Sequence, residues 1–315
     1  MITGGLGVNG AWVIRDLLER GHEVSVYENR DDTSLVEDVA DRIEIVVGDL
    51  RDLEALTAAV ERLRPECIIH LAALVDDRVP YTTIEVNTGG TANVAAAAVA
   101  AGVKRVVYTS SKAVYGPTTG ARGYPTYEPI PEDGAVNPSV MYSITKLAGE
   151  QVLEWYARTT GLEIASLRFG TIYGPGRLQR HQGINAYSSM VELPAVGEAF
   201  RVENGGDERD DIVYVLDVAD AISTVALAPH APRHAVYNVS GGDAVTMSEY
   251  AAAIHRVIPN AALEVGPGLD PMNQGDAPYY MQLDGTRIED EYGWRASYDI
   301  NRAVQHYYDF VRSRA

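Results

Sequence analysis

Tyr142 and Lys146 stand four residues apart in the stretch Tyr142-Ser143-Ile144-Thr145-Lys146. On a helix this spacing puts both side chains on one face, one above the other. A free phenol has a pKa of about 10 and is a poor base at neutral pH. An ammonium about 4 Å from it, at an effective dielectric of about 20, favours phenolate by roughly 4 kcal/mol. At about 1.36 kcal/mol per unit, that lowers the phenol's pKa by up to about 3 units. Such a phenol can take a proton from a substrate oxygen, or return one, near neutral pH. Many helices carry a Tyr and a Lys at this spacing, so the surrounding elements decide what the pair means.

Those elements begin at the first residues. Ile2-Thr3-Gly4-Gly5-Leu6-Gly7-Val8-Asn9-Gly10 has glycines at 4, 7 and 10, followed by an amphipathic run through Arg20. Gly21-His22 stops that helix, and Glu23-Val24-Ser25-Val26-Tyr27 reads as a strand. Strand, glycine turn, helix and strand make a βαβ unit. The glycines let backbone approach a pyrophosphate, and the helix N-terminus favours its charge. Glu28, just past the second strand, is placed to accept hydrogen bonds from adenosine ribose hydroxyls. A carboxylate there repels a 2′-phosphate and favours NAD, while Arg30 nearby keeps NADP open. Only Met1 and Ile2 precede the turn, whereas strands run about 5–6 residues. The first strand of such a sheet is central and buried. The shortness predicts a native start upstream or a clipped chain, which the mass of protein made from the native gene would show.

The alternation continues. Ile43–Val47 reads as a strand ending in Gly48-Asp49-Leu50, with Asp49 placed to meet an adenine amino group. Leu53–Leu63 is helical. Cys67–Leu71 is a strand followed by Ala72-Ala73, small residues that admit a cofactor close to the backbone. Thr91–Ala101 is an alanine-rich helix, and Val106–Ser110 another strand. This rhythm predicts an α/β fold: a Rossmann-type doubly wound parallel sheet with ligands at the carboxyl edge of its strands.

Bulk properties agree. The chain has 315 residues, 46% of them hydrophobic and 22% charged, which is ordinary for a globular protein. A formal net charge of -18 argues against nucleic acid and anionic membranes, both of which attract basic patches. No apolar run reaches membrane-spanning length. One cysteine, Cys67, excludes an intramolecular disulfide and fits a reducing, cytoplasmic setting. The histidines show no spacing for a metal site.

At the sheet's carboxyl edge stand Ser110-Ser111-Lys112-Ala113-Val114-Tyr115-Gly116, then the Tyr142 pentapeptide. Here the chain resembles the extended short-chain dehydrogenases/reductases of the NAD-dependent sugar epimerase/dehydratase family. The matching pieces are the Gly4-Gly7-Gly10 turn, Gly48-Asp49-Leu50, His70-Leu71-Ala72-Ala73, Asn87 with Gly90-Thr91, Ser110-Ser111 before Val114-Tyr115-Gly116, Tyr142 with Lys146, and Leu167-Arg168-Phe169 before Tyr173-Gly174-Pro175. They run in family order over roughly residues 1–220. The resemblance implies that Ser111 hydrogen-bonds the reacting oxygen and that Tyr142 is the general acid/base. Lys146 would bind the nicotinamide ribose and acidify Tyr142. It implies a cofactor site of Gly4, Gly7, Val8, Asn9, Glu28, Asp49, Leu50, Leu71, Ala72, Ala73, Asn87, Thr109, Tyr142 and Lys146. Substrate contacts would come from Ser111, Lys112, Tyr142, Thr171, Arg177 and Asn185, with Arg180, His181 and Tyr187 as further candidates.

Departures from the family narrow the substrate. Dehydratases of this group carry an acidic pair where this chain has Lys112-Ala113, which argues against dehydration. Nucleotide-sugar enzymes usually show asparagine at Thr171, arginine at Asp210 and often arginine at Asn273. A diphosphate is best held by arginines. The leading expectation is therefore an NAD-dependent oxidoreductase acting on a sugar, polyol, sugar acid or other small hydroxy compound. The alternatives are a nucleotide-sugar 4-epimerase with tightly held NAD, and a non-catalytic dinucleotide sensor, against which the complete Ser/Tyr/Lys set argues. Residues 1–174 plus 211–258 are expected to form the NAD-binding domain. Residues 175–210 plus 259–315 would form a small substrate-binding cap hinged at Gly174-Pro175-Gly176. The proline-rich loop between Ser111 and Tyr142 is long enough to wall the cleft, with Tyr124 and Tyr127 as candidate lining. Helices 91–101 and 141–158 resemble the pair that forms a four-helix homodimer bundle in the family, though their small residues would also pack within a monomer.

Overall fold

The computed structural model describes residues 1–75, 78–176, 186–270 and 280–314. Runs rich in Val and Ile form seven strands of one sheet: β1 (Ile2–Thr3), β2 (Val24–Glu28), β3 (Ile43–Val47), β4 (Cys67–His70), β5 (Arg105–Ser111), β6 (Glu163–Phe169) and β7 (Val236–Val239). Their order is β7-β6-β5-β4-β1-β2-β3, and every pairing is parallel. β5 and β6 are buried at nearly every position, as strands covered on both faces must be. β1 has only two residues, yet Ile2 pairs with Val26 on one side and Ile69 on the other and is 1% exposed.

Alternate residues of each strand feed opposite cores, following the strand period of two. Ile69, Val107 and Leu167 face α1 (Val8–Glu19), which also packs beside a later helix, Val215–Leu227. Ile68, Val106 and Ile164 face the other side, covered by α2 (Leu53–Leu63), α3 (Gly90–Ala100) and α4 (Met141–Thr160). Asp52 caps α2 by accepting from the Ala55 N–H at 3.0 Å. The fold is the doubly wound α/β sheet that the rhythm of the sequence predicts.

A third core lies beyond the sheet. Tyr173, Tyr187, Tyr214, Tyr250 and Tyr307 pack with Met190, Val191 and Ile254, with the Tyr173 and Tyr250 ring centres 5.4 Å apart. Three helices supply most of it: α5 (Ala186–Ala195), α7 (Met247–Val257) and α8 (Ile300–Arg314), with Val215–Leu227 standing between as α6. Thr246 and Glu249 form the reciprocal capping box that opens α7. The Tyr307 hydroxyl donates to the Gly174 carbonyl at 2.8 Å, tying the last helix to Gly174-Pro175-Gly176. Among the described residues no helix is long and apolar enough to cross a membrane.

Candidate active site

β1 sits where the strand order reverses, with β4 on one side and β2 on the other. Connections leave it in both directions, so a crevice opens at the carboxyl ends of the strands. The cleft there has a volume of about 1080 Å³, at or above the upper end of the roughly 300–1,000 Å³ usual for a single small ligand. It is lined by the ends of β1 to β6 in turn.

Its first part is the glycine turn. Gly4 has φ +71°, and a Cβ there would lie 2.7 Å from the Ala72 backbone. A Cβ on Gly10 would lie 2.4 Å from the Gly5 carbonyl oxygen. Only glycine lets this turn press against Ala72 while α1 starts immediately behind it. Gly7 is the N-cap of α1 and no side chain caps it, so the positive end of the helix faces the cleft beside Gly4, Gly7, Val8 and Asn9. Backbone donors, a helix N-terminus and no bulky side chain suit a pyrophosphate. Glu28, Asn29, Arg30 and Asp32 line the next stretch. Asp49 and Leu50 follow, and hydrogen bonds from Arg51 hold the Asp49 carboxyl below its ordinary range. Leu71, Ala72, Ala73 and Thr109 complete this end. Asn87 lies behind the wall instead. Its amide bonds the N–H and the C=O of Leu74 at 2.7 and 2.9 Å and so shapes the lining from outside.

In the middle of the cleft Ser111, Tyr142 and Lys146 come together, Ser111 from the end of β5 and the other two from the first turns of α4. Lys146 is 2% exposed. Its Nζ donates to the Thr109 carbonyl at 2.7 Å and lies 4.7 Å from the Tyr108 ring centre and 5.7 Å from that of Tyr142. Burial pushes Lys146 down to about 7, against an opposing pull from Glu150. The sequence alone treats this lysine as a fixed cation acidifying the phenol. In the structure the lysine's own charge is disfavoured as well, because burial strips it of water. Beneath it His70 is buried between Thr3 and Thr91, and burial pushes it down to about 3, leaving a neutral ring.

A buried network holds this triad from behind. Glu150, one turn after Lys146, accepts from Ser110 Oγ and receives Arg168 in bidentate fashion, at 2.9 Å from Nε and 2.6 Å from Nη2. Arg168 Nη1 also donates to the Tyr115 hydroxyl and the Glu132 carbonyl, both at 3.0 Å. Glu150 carries no chemistry in the sequence reading. Its signal was the i,i+4 step beyond Lys146.

The far end of the cleft is lined by Lys112, Thr171, Ala186, Tyr187, Asp210, Met247, Asp270 and Tyr280. Lys112 forms an ion pair with Asp210, and Thr171 Oγ1 donates to the other Asp210 oxygen at 2.6 Å. Arg209 points elsewhere, with Nη1 2.8 Å from the Ala244 carbonyl. Tyr280 and Asp270, joined at 3.0 Å, have no signal in the sequence, because they lie where the family pattern thins. Arg177, Arg180, His181, Asn185 and Asn273 lie outside the described residues. Of the stretch between Ser111 and Tyr142, only Lys112 and Ala113 are among the described lining residues, so residues 116–140 do not form the expected wall. Ile130 bridges to Leu283, its N–H donating to the Gln282 carbonyl and its carbonyl accepting from the Asp284 N–H, and Glu132 accepts from the Asn238 N–H. These bonds draw the loop against β7 instead. Tyr124 is consequently exposed, and Tyr127 is buried against Glu208.

Comparison with known proteins agrees with this architecture. The model of the "NAD dependent epimerase/dehydratase family" matches residues 1–240. The UDP-glucose 4-epimerase of Mycolicibacterium smegmatis is 30% identical, covering 100% of this chain and 99% of the relative. A probable UDP-glucuronate 4-epimerase of Rhizobium meliloti is 27% identical, covering 88% of this chain and 86% of the relative. The crystal structure of the Thermus thermophilus UDP-glucose 4-epimerase in complex with NAD superposes with a TM-score of 0.82 at 28% identity, covering 100% and 99% of the two chains. With the glycine turn, the switch-point cleft and the Ser/Tyr/Lys cluster at its centre, the chain belongs to the NAD-dependent epimerase/dehydratase family.

Proposed function

We propose that the chain is a UDP-sugar 4-epimerase that retains NAD through its cycle. The observation that carries this is the end-to-end likeness to UDP-glucose 4-epimerases, which covers the whole chain and not the sheet alone. Gly4, Gly7, Val8 and Asn9 would hold the cofactor's pyrophosphate, and Glu28 its adenosine ribose. When bound, the nicotinamide supplies a reversible hydride acceptor. Tyr142 takes the proton of the sugar hydroxyl and returns it once the other face of the oxidised ring is presented. Ser111 hydrogen-bonds the reacting oxygen and orients it, and Lys146 modulates the phenol from the next helical turn.

Dehydrogenation of a small hydroxy compound, first on sequence grounds, keeps one specific support. Among the described residues the arginines lining the cleft, Arg30 and Arg51, belong to the adenosine end. Incubation with UDP-glucose separates the two readings. The epimerase reading expects UDP-galactose to form without net NADH. Accumulation of NADH on a free sugar or polyol, with UDP-glucose untouched, would overturn it.

We further propose a homodimer built on the outer face of α3 and α4. Ile144 and Trp155 are 44% and 52% exposed and lie three turns apart on the same stripe of α4. Val99 of α3 is 39% exposed. Light scattering should give about twice the 34.1 kDa chain mass; a monomer at micromolar concentration ends the proposal.

A further inference from the structure

Lys112, Thr171 and Asp210 each depart from the pattern of the family's nucleotide-sugar enzymes and dehydratases, at widely separated places in the sequence. In the fold they meet. Lys112 and Asp210 are 3% and 1% exposed and are ion-paired, and Thr171 donates to the second carboxylate oxygen of Asp210. All three line the cleft at the end away from Glu28. Lys112 directly follows Ser111, so the strand end that presents the Ser111 hydroxyl also fixes the backbone of the lysine.

A buried ion pair is a poor stabilising device, since a well-packed apolar pair of the same volume does as well or better. Its position beside the reacting hydroxyl gives it another use. The pair carries no net charge. Lys112 has three N–H donors, and Asp210 does not exhaust them. Such a site can bond a neutral hydroxyl, whereas an incoming carboxylate meets an ammonium already neutralised and the like charge of Asp210 behind it.

We propose that Lys112, held in place by Asp210 and Thr171, binds a neutral hydroxyl of the sugar ring and makes this site select UDP-hexoses over UDP-hexuronates. The inference rests on the UDP-sugar reading above.

The test compares kcat/KM for UDP-glucose and UDP-glucuronate in the NAD-loaded protein. Wild type should prefer UDP-glucose. Asp210→Asn removes the ammonium's ion-pair partner among the described residues and should shift the ratio of the two kcat/KM values toward UDP-glucuronate by about tenfold or more, the order of one hydrogen bond to a charged group. Because either single change could disturb folding, the charge-free Lys112→Met/Asp210→Leu variant is measured alongside. It should bind NAD as wild type does, melt near the wild-type temperature and raise KM for UDP-glucose. A wild-type preference for UDP-glucuronate would overturn the inference and leave the epimerase reading standing. So would an unchanged ratio in Asp210→Asn together with an unchanged KM in the double variant. No turnover of either sugar by wild type would overturn the epimerase reading, and the inference with it.

Discussion

Tyr142→Phe should cost about 10²–10⁴-fold in kcat, the range for removing a positioned general acid/base, and leave NAD binding intact. The change removes one oxygen from a side chain that lines the cleft. The ring remains, so the contact of the Lys146 ammonium with it, 5.7 Å from its centre, is kept. The bond from Lys146 Nζ to the Thr109 carbonyl does not involve the phenol. The glycine turn and Glu28 stand at the other end of the cleft and are untouched. Turnover and cofactor content, measured on the same preparation, separate chemistry from binding. Unchanged turnover would remove Tyr142 from the reaction. Loss of NAD together with turnover would mean that the phenol holds the cofactor rather than moving a proton.

Arg168→Met should destabilise the protein by about 3–5 kcal/mol, the cost of stripping one partner from a buried ion pair. The Arg168 and Glu150 side chains are each 5% exposed. Without the guanidinium, Glu150 keeps a buried carboxylate with Ser110 as its remaining hydrogen-bond donor among the bonds described above. Tyr115 and the Glu132 carbonyl each lose a donor as well. That loosens both the back of α4 and the anchor of the loop 116–140. Urea unfolding measures the loss, and a change below about 1 kcal/mol would show that the network is not the clamp described. Arg168→Met/Glu150→Met should recover much of the deficit, because removing both charges removes the desolvation problem that one alone creates.

Much of this protein can be read locally. Strand and helix periods place Val106 and Val107 on opposite faces of the sheet, and the i,i+4 step places Tyr142 over Lys146. The spacing of Gly4, Gly7 and Gly10 marks a tight turn in which Gly10 sits directly against the Gly5 backbone. Each of these is a relation between residues a few positions apart, where backbone geometry converts spacing into direction with little freedom left over. The tertiary structure decided the rest. Lys112 and Asp210 are separated by 98 positions; the sequence shows that neither fits the family pattern, and cannot show that each answers the other. The loop 116–140 is drawn to β7 by partners more than a hundred residues away, such as the Asn238 N–H, which its own prolines do not reveal. The charge of Lys146 depends on how completely water is excluded around it, a property of packing from every side. Spacing along a chain specifies direction; burial and long-range pairing depend on which segments cross, and that exists only once the chain has folded.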